Sequence, residues 1–215
     1  MSNISTPIVF VIDHDITVRE SLAQLIRTAG WHPETFATAS EFLSYPRQEV
    51  PSCLILDIAL PDLDGLELQE RVAAIRRDMP IIFLVDYADI PTTVRAMKRG
   101  ALDFLTKPFD AELLLRGIRH AIKRSEAALG RENELHTLRT GYGSLTHRER
   151  EVMKLVVSGF LNKQVGGQLG ISEITVKAHR GNVMRKMKAD SFAELVNMAG
   201  RLRITNALTM SHAWS

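Results

Sequence analysis

Two carboxylates and an ammonium stand at the ends of short apolar runs. Asp13 follows IVFVI (8–12), Asp57 follows CLIL (53–56), and Lys107 comes just after DFL (103–105). A carboxylate pair can hold a hard divalent cation. A lysine beside such a pair can neutralise an incoming phosphoryl group. Taken singly, each is an ordinary surface charge. Their common placement is what carries weight, and it requires elements that bring the three together. Runs of this length suit buried strands better than helices. A further run, IIFLV (81–85), ends at Val85. Between the runs apolar residues fall at helical spacing: Leu22, Leu25 and Ile26 before Gly30, then Leu66, Leu68, Val72 and Ile75 after Gly65. Another helix is expected from about Thr92 to Gly100. Thr38 and Glu41 have capping-box spacing for a short helix, with a strand before it near 34–36. Strands alternating with helices give a parallel sheet covered on both faces. In such sheets chemistry gathers at the carboxyl ends of the strands, where Asp13, Asp57 and Lys107 all fall.

A second constellation lies at 162–188, NKQVGGQLGISEITVKAHRGNVMRKMK. Val165 and Leu169 mark the inner side of a first short helix. Gly170 can end it in the left-handed conformation. Ile171 then points inward, and Ser172 can cap a second helix. That helix is expected to bury Ile174, Val183, Met184 and Met187, and to leave a polar, basic face outside. A basic helix after a tight turn suits the major groove: Lys and Arg neutralise phosphates, and Arg, Asn and Thr reach base edges. A basic amphipathic helix alone is more often just a solvated surface. The turn chemistry is what favours the nucleic-acid reading.

The charge distribution divides the chain in the same way. Residues 1–110 carry 10 Lys/Arg against 16 Asp/Glu, a net −6. Residues 141–215 carry 11 against 5, a net +6, although the whole chain is only +2. The C-terminal part suits a polyanion and the N-terminal part a cation. A single cysteine, Cys53, leaves no internal disulfide, and its apolar run suggests a buried thiol. No apolar run reaches membrane-spanning length and no leader opens the chain, so a cytoplasmic protein is expected. Asp110 is a candidate N-cap for a long helical pattern through Leu113, Leu114, Ile118, Ile122 and Leu129. That pattern either continues as a helical connector or gives way to a flexible linker ending at 141–143. Ser125 and Glu132 interrupt its apolar seam, which disfavours a coiled coil. Thr146 with Glu149, and Ser191 with Glu194, have the spacing of capping boxes that start further helices. The tail after Arg203 shows no pattern.

These motifs carry two resemblances. VFVIDHD, CLILDIALPDLDGLEL and AMKRGALDFLTKPF are similar to response-regulator receiver domains. NK-x-V…L-x-IS-x-x-TVK-x-H-x-x-NV-x-x-KM is similar to the DNA-binding domain of LuxR-type regulators of the nitrogen-fixation and nitrate-response group. The resemblance implies a flavodoxin-like receiver, a five-stranded parallel sheet in order 2-1-3-4-5, followed by an all-α, four-helix helix-turn-helix domain. It suggests a receiver over 1–125, a linker over 126–143, a DNA-binding domain over 144–205 and a tail over 206–215. It makes Asp57 the phospho-acceptor, places Mg²⁺ on Asp13 and Asp57, and sets Lys107 against the phosphoryl group, with a cis bond to Pro108. Phe104 becomes the aromatic whose rotation reports activation. In the second domain Thr175 and His179 would lie near bases, Lys177 and Arg180 against the DNA, and Asn182 and Lys186 near the phosphate backbone. Val176 would touch a thymine methyl. The implied partners are double-stranded DNA, a sensor histidine kinase and a second copy of the chain.

Three positions depart from the family pattern. His14 stands where a second acid is usual, and imidazole serves Mg²⁺ poorly. The simple consequence is weak phosphorylation; the sharper one is that a protonated His14 substitutes for part of the metal's charge. Val85 stands where a Thr or Ser hydroxyl usually meets the phosphoryl group. Gly166 stands where alanine is usual, and it precedes a second helix-weakening glycine, Gly167. Two other functions compete. Asp13-His14-Asp15-Ile16-Thr17 fits the D-x-D-x-T opening of haloacid-dehalogenase-type phosphatases, a short motif without the later acids of those enzymes. A receiver acting only through protein partners is the other. The leading reading is a DNA-binding response regulator, not an enzyme.

Overall fold

A computed structural model describes residues 6–204. The expected tail over 206–215 lies outside them. The chain divides after Arg131 into two compact units, each described here by itself.

The first unit alternates strand and helix: β1 (Ile8–Ile12), α1 (Ile16–Thr28), β2 (His32–Phe36), α2 (Ala39–Ser44), β3 (Ser52–Asp57), α3 (Gly65–Ile75), β4 (Ile81–Val85), α4 (Ile90–Lys98) and β5 (Asp103–Thr106). The five strands are parallel, in order β2-β1-β3-β4-β5. This is the flavodoxin-like order that the resemblance implied. The pleat sends Ile8, Phe10 and Ile12 to one core and Val9 and Val11 to the other. Burial on both faces explains why the strands read as unbroken apolar runs. Cys53 is fully buried, and burial pushes its thiol pKa up. The fourth helix starts at Ile90, two residues before the expected Thr92. Asp89 is its N-cap and accepts the Thr92 N–H at 2.8 Å.

Asp110 caps α5, accepting the Leu113 N–H at 3.0 Å. The α5 helix then runs without a break over 33 residues, Ala111–Gly143. The segment weighed as a flexible linker is therefore helix, and the packing boundary falls inside it. Ser125, one of the interruptions in its seam, is buried and accepts the Ser52 N–H at 3.0 Å. A polar residue that breaks a coiled-coil pattern here satisfies the first N–H of the central strand.

The second unit adds α6 (His147–Val157), α7 (Asn162–Leu169), α8 (Glu173–Met187) and α9 (Phe192–Arg201). Thr146 and Glu149 form the full capping box. Gly170 ends α7 at φ 66°, and Ser172 accepts the Thr175 N–H at 3.1 Å to begin α8. Ser191 accepts the Glu194 N–H, but Glu194 reaches back to the Asp190 N–H instead of closing a box on Ser191. Gly166 and Gly167 differ in kind. A Cβ on Gly166 would stand 2.7 Å from the Ile171 carbonyl oxygen, whereas one on Gly167 meets open space. The first glycine is required by the tight turn, and the second has no packing role.

Candidate functional site

The parallel sheet brings Asp13, Asp57 and Lys107 to one pocket. Both carboxylates are 1 % exposed. Lys107 Nζ lies 2.7 Å from Asp13 Oδ2, 3.4 Å from Asp57 Oδ2 and 3.9 Å from Asp86 Oδ1. Burial lowers the Lys107 pKa. Its hydrogen bond to Asp13 and the charges of Asp13, Asp57 and Asp86 outweigh that, so the net shift is upward. The remaining carboxylate oxygens accept backbone N–H groups: Asp15 to Asp13 at 2.9 Å, and Ala59 to Asp57 at 3.2 Å. The Lys107–Pro108 bond is cis. Arg19 donates to the carbonyls of Asp13 and His14, holding the loop after β1. Nothing in the sequence pattern singled out Arg19, because its partners are backbone atoms.

His14 does not merely replace an acid; its ring lies against the Asp57 carboxylate. Its Nδ1 lies 3.1 Å from Asp57 Oδ2 and 3.7 Å from Asp13 Oδ1, with the side chain half exposed. One ligand atom from each of Asp13, His14 and Asp57 falls within 4.8 Å of the others. Two carboxylates suit a divalent cation. An imidazole in place of a third oxygen weakens the preference for magnesium. Val85 is buried at the end of β4 and its carbonyl accepts the Lys107 N–H at 2.7 Å. It holds the loop through its backbone while its side chain offers the pocket no hydroxyl. Phe104 is half-buried, with its ring 5.9 Å from that of Phe83. Asp15 caps α1 by accepting the Thr17 N–H at 2.8 Å. The second acid of the D-x-D-x-T motif is thus committed to a helix terminus.

In the second unit α8 presents a different arrangement from the expected one. Val176 is fully buried and packs with Val152, Val156 and Val165, so it offers nothing to a thymine. Ile174, expected inside, is 80 % exposed. Residues 176, 180, 183 and 187 form the inward stripe, at spacings of four, three and four. Lys186 lies over the buried Glu149, Nζ to Oε2 at 2.7 Å, and also donates to the Ser144 carbonyl. Arg180 donates to Asn162 Oδ1 at 2.6 Å and covers the Phe192 ring. His179 is half-buried, its Nδ1 without a partner among the described residues. Thr175, Lys177 and Asn182 face solvent, as do Ile174 and Arg185. Among the described residues Lys177 pairs only with the exposed Glu173, at 3.5 Å. Ile174 was assigned to the wrong side: position along the inward stripe, not hydrophobicity, places it on the outer face.

Residues 9–119 match the family described as the response regulator receiver domain. Residues 143–199 match the LuxR family of bacterial regulatory proteins. The chain belongs to the response regulators, with a LuxR-type output domain. It is 44 % identical over 198 residues to nodulation protein W of Bradyrhizobium diazoefficiens, covering 92 % of this chain and 87 % of that one. Response regulator protein TmoT of Ectopseudomonas mendocina is 42 % identical over 196 residues, 91 % of this chain and 89 % of that protein. Among solved structures, the response regulator StyR matches with a TM-score of 0.82 at 45 % identity, over 92 % of this chain and all of that chain. Full-length FixJ from B. japonicum matches with a TM-score of 0.53 at 36 % identity, over 94 % of this chain and all of that one. This response regulator is therefore a DNA-binding regulator of transcription in a two-component system. Receiver domains generally bind Mg²⁺ in an acidic pocket, and this chain carries a group of Asp13, His14 and Asp57. Among the described residues, no helix is long and apolar enough to cross a membrane.

Proposed function

We propose that this response regulator accepts a phosphoryl group on Asp57 from a sensor histidine kinase in the cytoplasm, and answers by placing α8 on DNA as a homodimer. The observation that carries this reading is the Lys107 ammonium between two buried carboxylates. An Asp57 oxygen attacks phosphorus, the P–N bond of the phosphohistidine breaks, and its electron pair returns to the donor's imidazole. Lys107 neutralises the arriving charge. Asp13 and Asp57 would hold Mg²⁺, which supplies further charge compensation when bound. His14 must leave Asp57 Oδ2 for the phosphoryl group to arrive. The chain serves as a phosphotransfer acceptor and not as a turnover enzyme.

On the output side, Thr175, Lys177 and Asn182 are the proposed reading residues, joined by Ile174 and Arg185. Arg180 and Lys186 hold α8 in place from behind. Ile90, Val94 and Met97 on α4 and Leu113 on α5 are exposed apolar residues. They give the face spanning α4, β5 and α5 an apolar surface for dimerisation. A dimer sets two reading helices on half-sites about one helical turn apart, roughly 34–36 Å.

The Asp57–His14 contact and the missing hydroxyl at Val85 favour a second reading, a receiver that switches without phosphorylation. Intact-mass spectrometry after acetyl phosphate treatment, with and without Mg²⁺, separates the two. A phosphoryl adduct that disappears in Asp57→Asn supports phosphotransfer. An unmodified wild-type chain under both conditions supports the second reading.

A further inference from the structure

The donor atoms around Asp13 and Asp57 are not the set that magnesium prefers. Mg²⁺ takes oxygen ligands in a near-octahedral array and gives up its water reluctantly. Carboxylate charge is what draws it to a protein, and here that charge is small. Two carboxylates supply two negative charges, and the Lys107 ammonium, 2.7 Å from Asp13 Oδ2 and 3.4 Å from Asp57 Oδ2, offsets one of them. Neighbouring acids do not make up the difference. Asp15 Oδ1 accepts the Thr17 N–H at the start of α1, and the exposed Asp86 stands 3.9 Å from Lys107. Among the described residues, the group able to share one ion is Asp13, His14 and Asp57. Its third donor is an imidazole nitrogen.

The spacing of these atoms is that of ligands to one ion. Bonds of about 2.0–2.2 Å, opening at roughly 90–109°, set neighbouring ligand atoms about 2.8–3.6 Å apart. His14 Nδ1 lies 3.1 Å from Asp57 Oδ2 and 3.7 Å from Asp13 Oδ1. All three ligand atoms fall within 4.8 Å of one another, so a turn of one side chain closes the set. Lys107 bonds to Asp13 Oδ2 and leaves Oδ1 toward His14. The loop that carries His14 is held from behind, because Arg19 donates to the Asp13 and His14 carbonyls at 2.7 and 3.0 Å. Both carboxylates are buried and the imidazole beside them is half exposed. Rotation of that ring admits an ion to the carboxylates, and its return places Nδ1 on the ion.

We propose that Asp13, His14 and Asp57 bind a divalent transition-metal ion that accepts nitrogen, zinc foremost, in preference to Mg²⁺. Imidazole suits zinc, cobalt and nickel, and adds a ligand without adding charge. Three protein ligands leave a position open on a four-coordinate ion, where a water or a phosphoryl oxygen fits. The inference rests on the phosphotransfer reading only in taking this pocket as the place where charge is compensated. The ion binds whether or not Asp57 accepts a phosphoryl group.

Titration of the untagged full chain with Co²⁺, a coloured substitute for Zn²⁺, and separately with Mg²⁺ tests this. One equivalent of Co²⁺ is expected to bind with a visible absorption band. His14→Ala should lose that band and bind Co²⁺ more weakly by about tenfold or more, while its Mg²⁺ affinity stays within about twofold of wild type. His14→Asp should shift the preference back toward Mg²⁺. The chain has seven histidines, so Asp13→Asn is the check on the other six. A band that survives in both His14→Ala and Asp13→Asn would put the cobalt elsewhere and overturn the proposal. Equal Co²⁺ affinity in wild type and His14→Ala would overturn it too, as would parallel loss of Co²⁺ and Mg²⁺ binding. Intact mass after acetyl phosphate treatment is scored on the same samples. Cobalt binding through His14 in a chain that takes no phosphoryl group supports this site and counts against phosphotransfer alone.

Discussion

The Asp13–Asp57–Lys107 pocket and helix α8 use the same chemical materials in opposite ways. In the pocket the residues depart from the family pattern, yet the geometry is kept. His14 and Val85 differ from the usual side chains, while the Asp13 and Asp57 carboxylates still lie within 3.4 Å of the Lys107 ammonium. In α8 the residues follow the pattern, yet the geometry reallocates them. Lys186 and Arg180 have internal partners and Val176 is core. A match to a motif says which residue types are present. Burial and competing partners decide which remain available to a ligand.

The sharpest way to break that contrast is to remove an internal partner. Glu149→Ala leaves the Lys186 ammonium with the Ser144 carbonyl alone and takes from the Thr146 N–H its Glu149 acceptor. The second unit should lose about 2–3 kcal/mol of stability, measured by chemical denaturation. The Lys186 hydrogen bond, first among its causes, holds the Glu149 carboxyl below its ordinary pKa. A depressed carboxylate stabilises the fold above its unfolded value, about 4.3, and loses that contribution as pH falls through the folded value. The stability gap between wild type and Glu149→Ala should therefore narrow below about pH 4.3. A gap constant with pH would show that Glu149 acts through packing alone.

His14→Asp tests the pocket side. A third carboxylate in place of imidazole should tighten Mg²⁺ binding on the order of tenfold by calorimetry. Equal Mg²⁺ affinity in wild type and variant would mean His14 stands clear of the metal. The smallest expected effect separates the two glycines of α7. Gly167→Ala should stabilise the second unit by up to about 1 kcal/mol, as an open helical position allows. Gly166→Ala should destabilise it, because its Cβ meets the Ile171 carbonyl oxygen. Gains of the same sign from both would show that the turn relaxes freely.

Much of the fold was legible for a simple reason. Strands buried on both faces leave contiguous apolar runs, and Asp13, Asp57 and Lys107 followed them in positions that the parallel topology brings together. Helix starts were readable from Thr146, Ser172 and Ser191, since their side chains satisfy specific N–H groups. The inner and outer sides of α8 were less legible. Ile174 is more hydrophobic than its place demands, and it drew the expected core stripe away from Val176. The partners of Lys186 and Arg180 lie 37 and 18 residues away in sequence, so helical spacing could not reveal them. The course of α5 through Gly130 was likewise open, because a single glycine weakens a helix without ending it.

The central claim is that exposure, not motif position, selects the DNA-reading cations. It is tested most directly by the salt dependence of DNA binding in Lys177→Ala and Lys186→Ala, compared in full-length protein at matched folded fraction. The account predicts that Lys177→Ala flattens the log affinity–log salt slope by about 1, while Lys186→Ala leaves it unchanged. An unchanged slope for Lys177→Ala together with a flattened one for Lys186→Ala would contradict it.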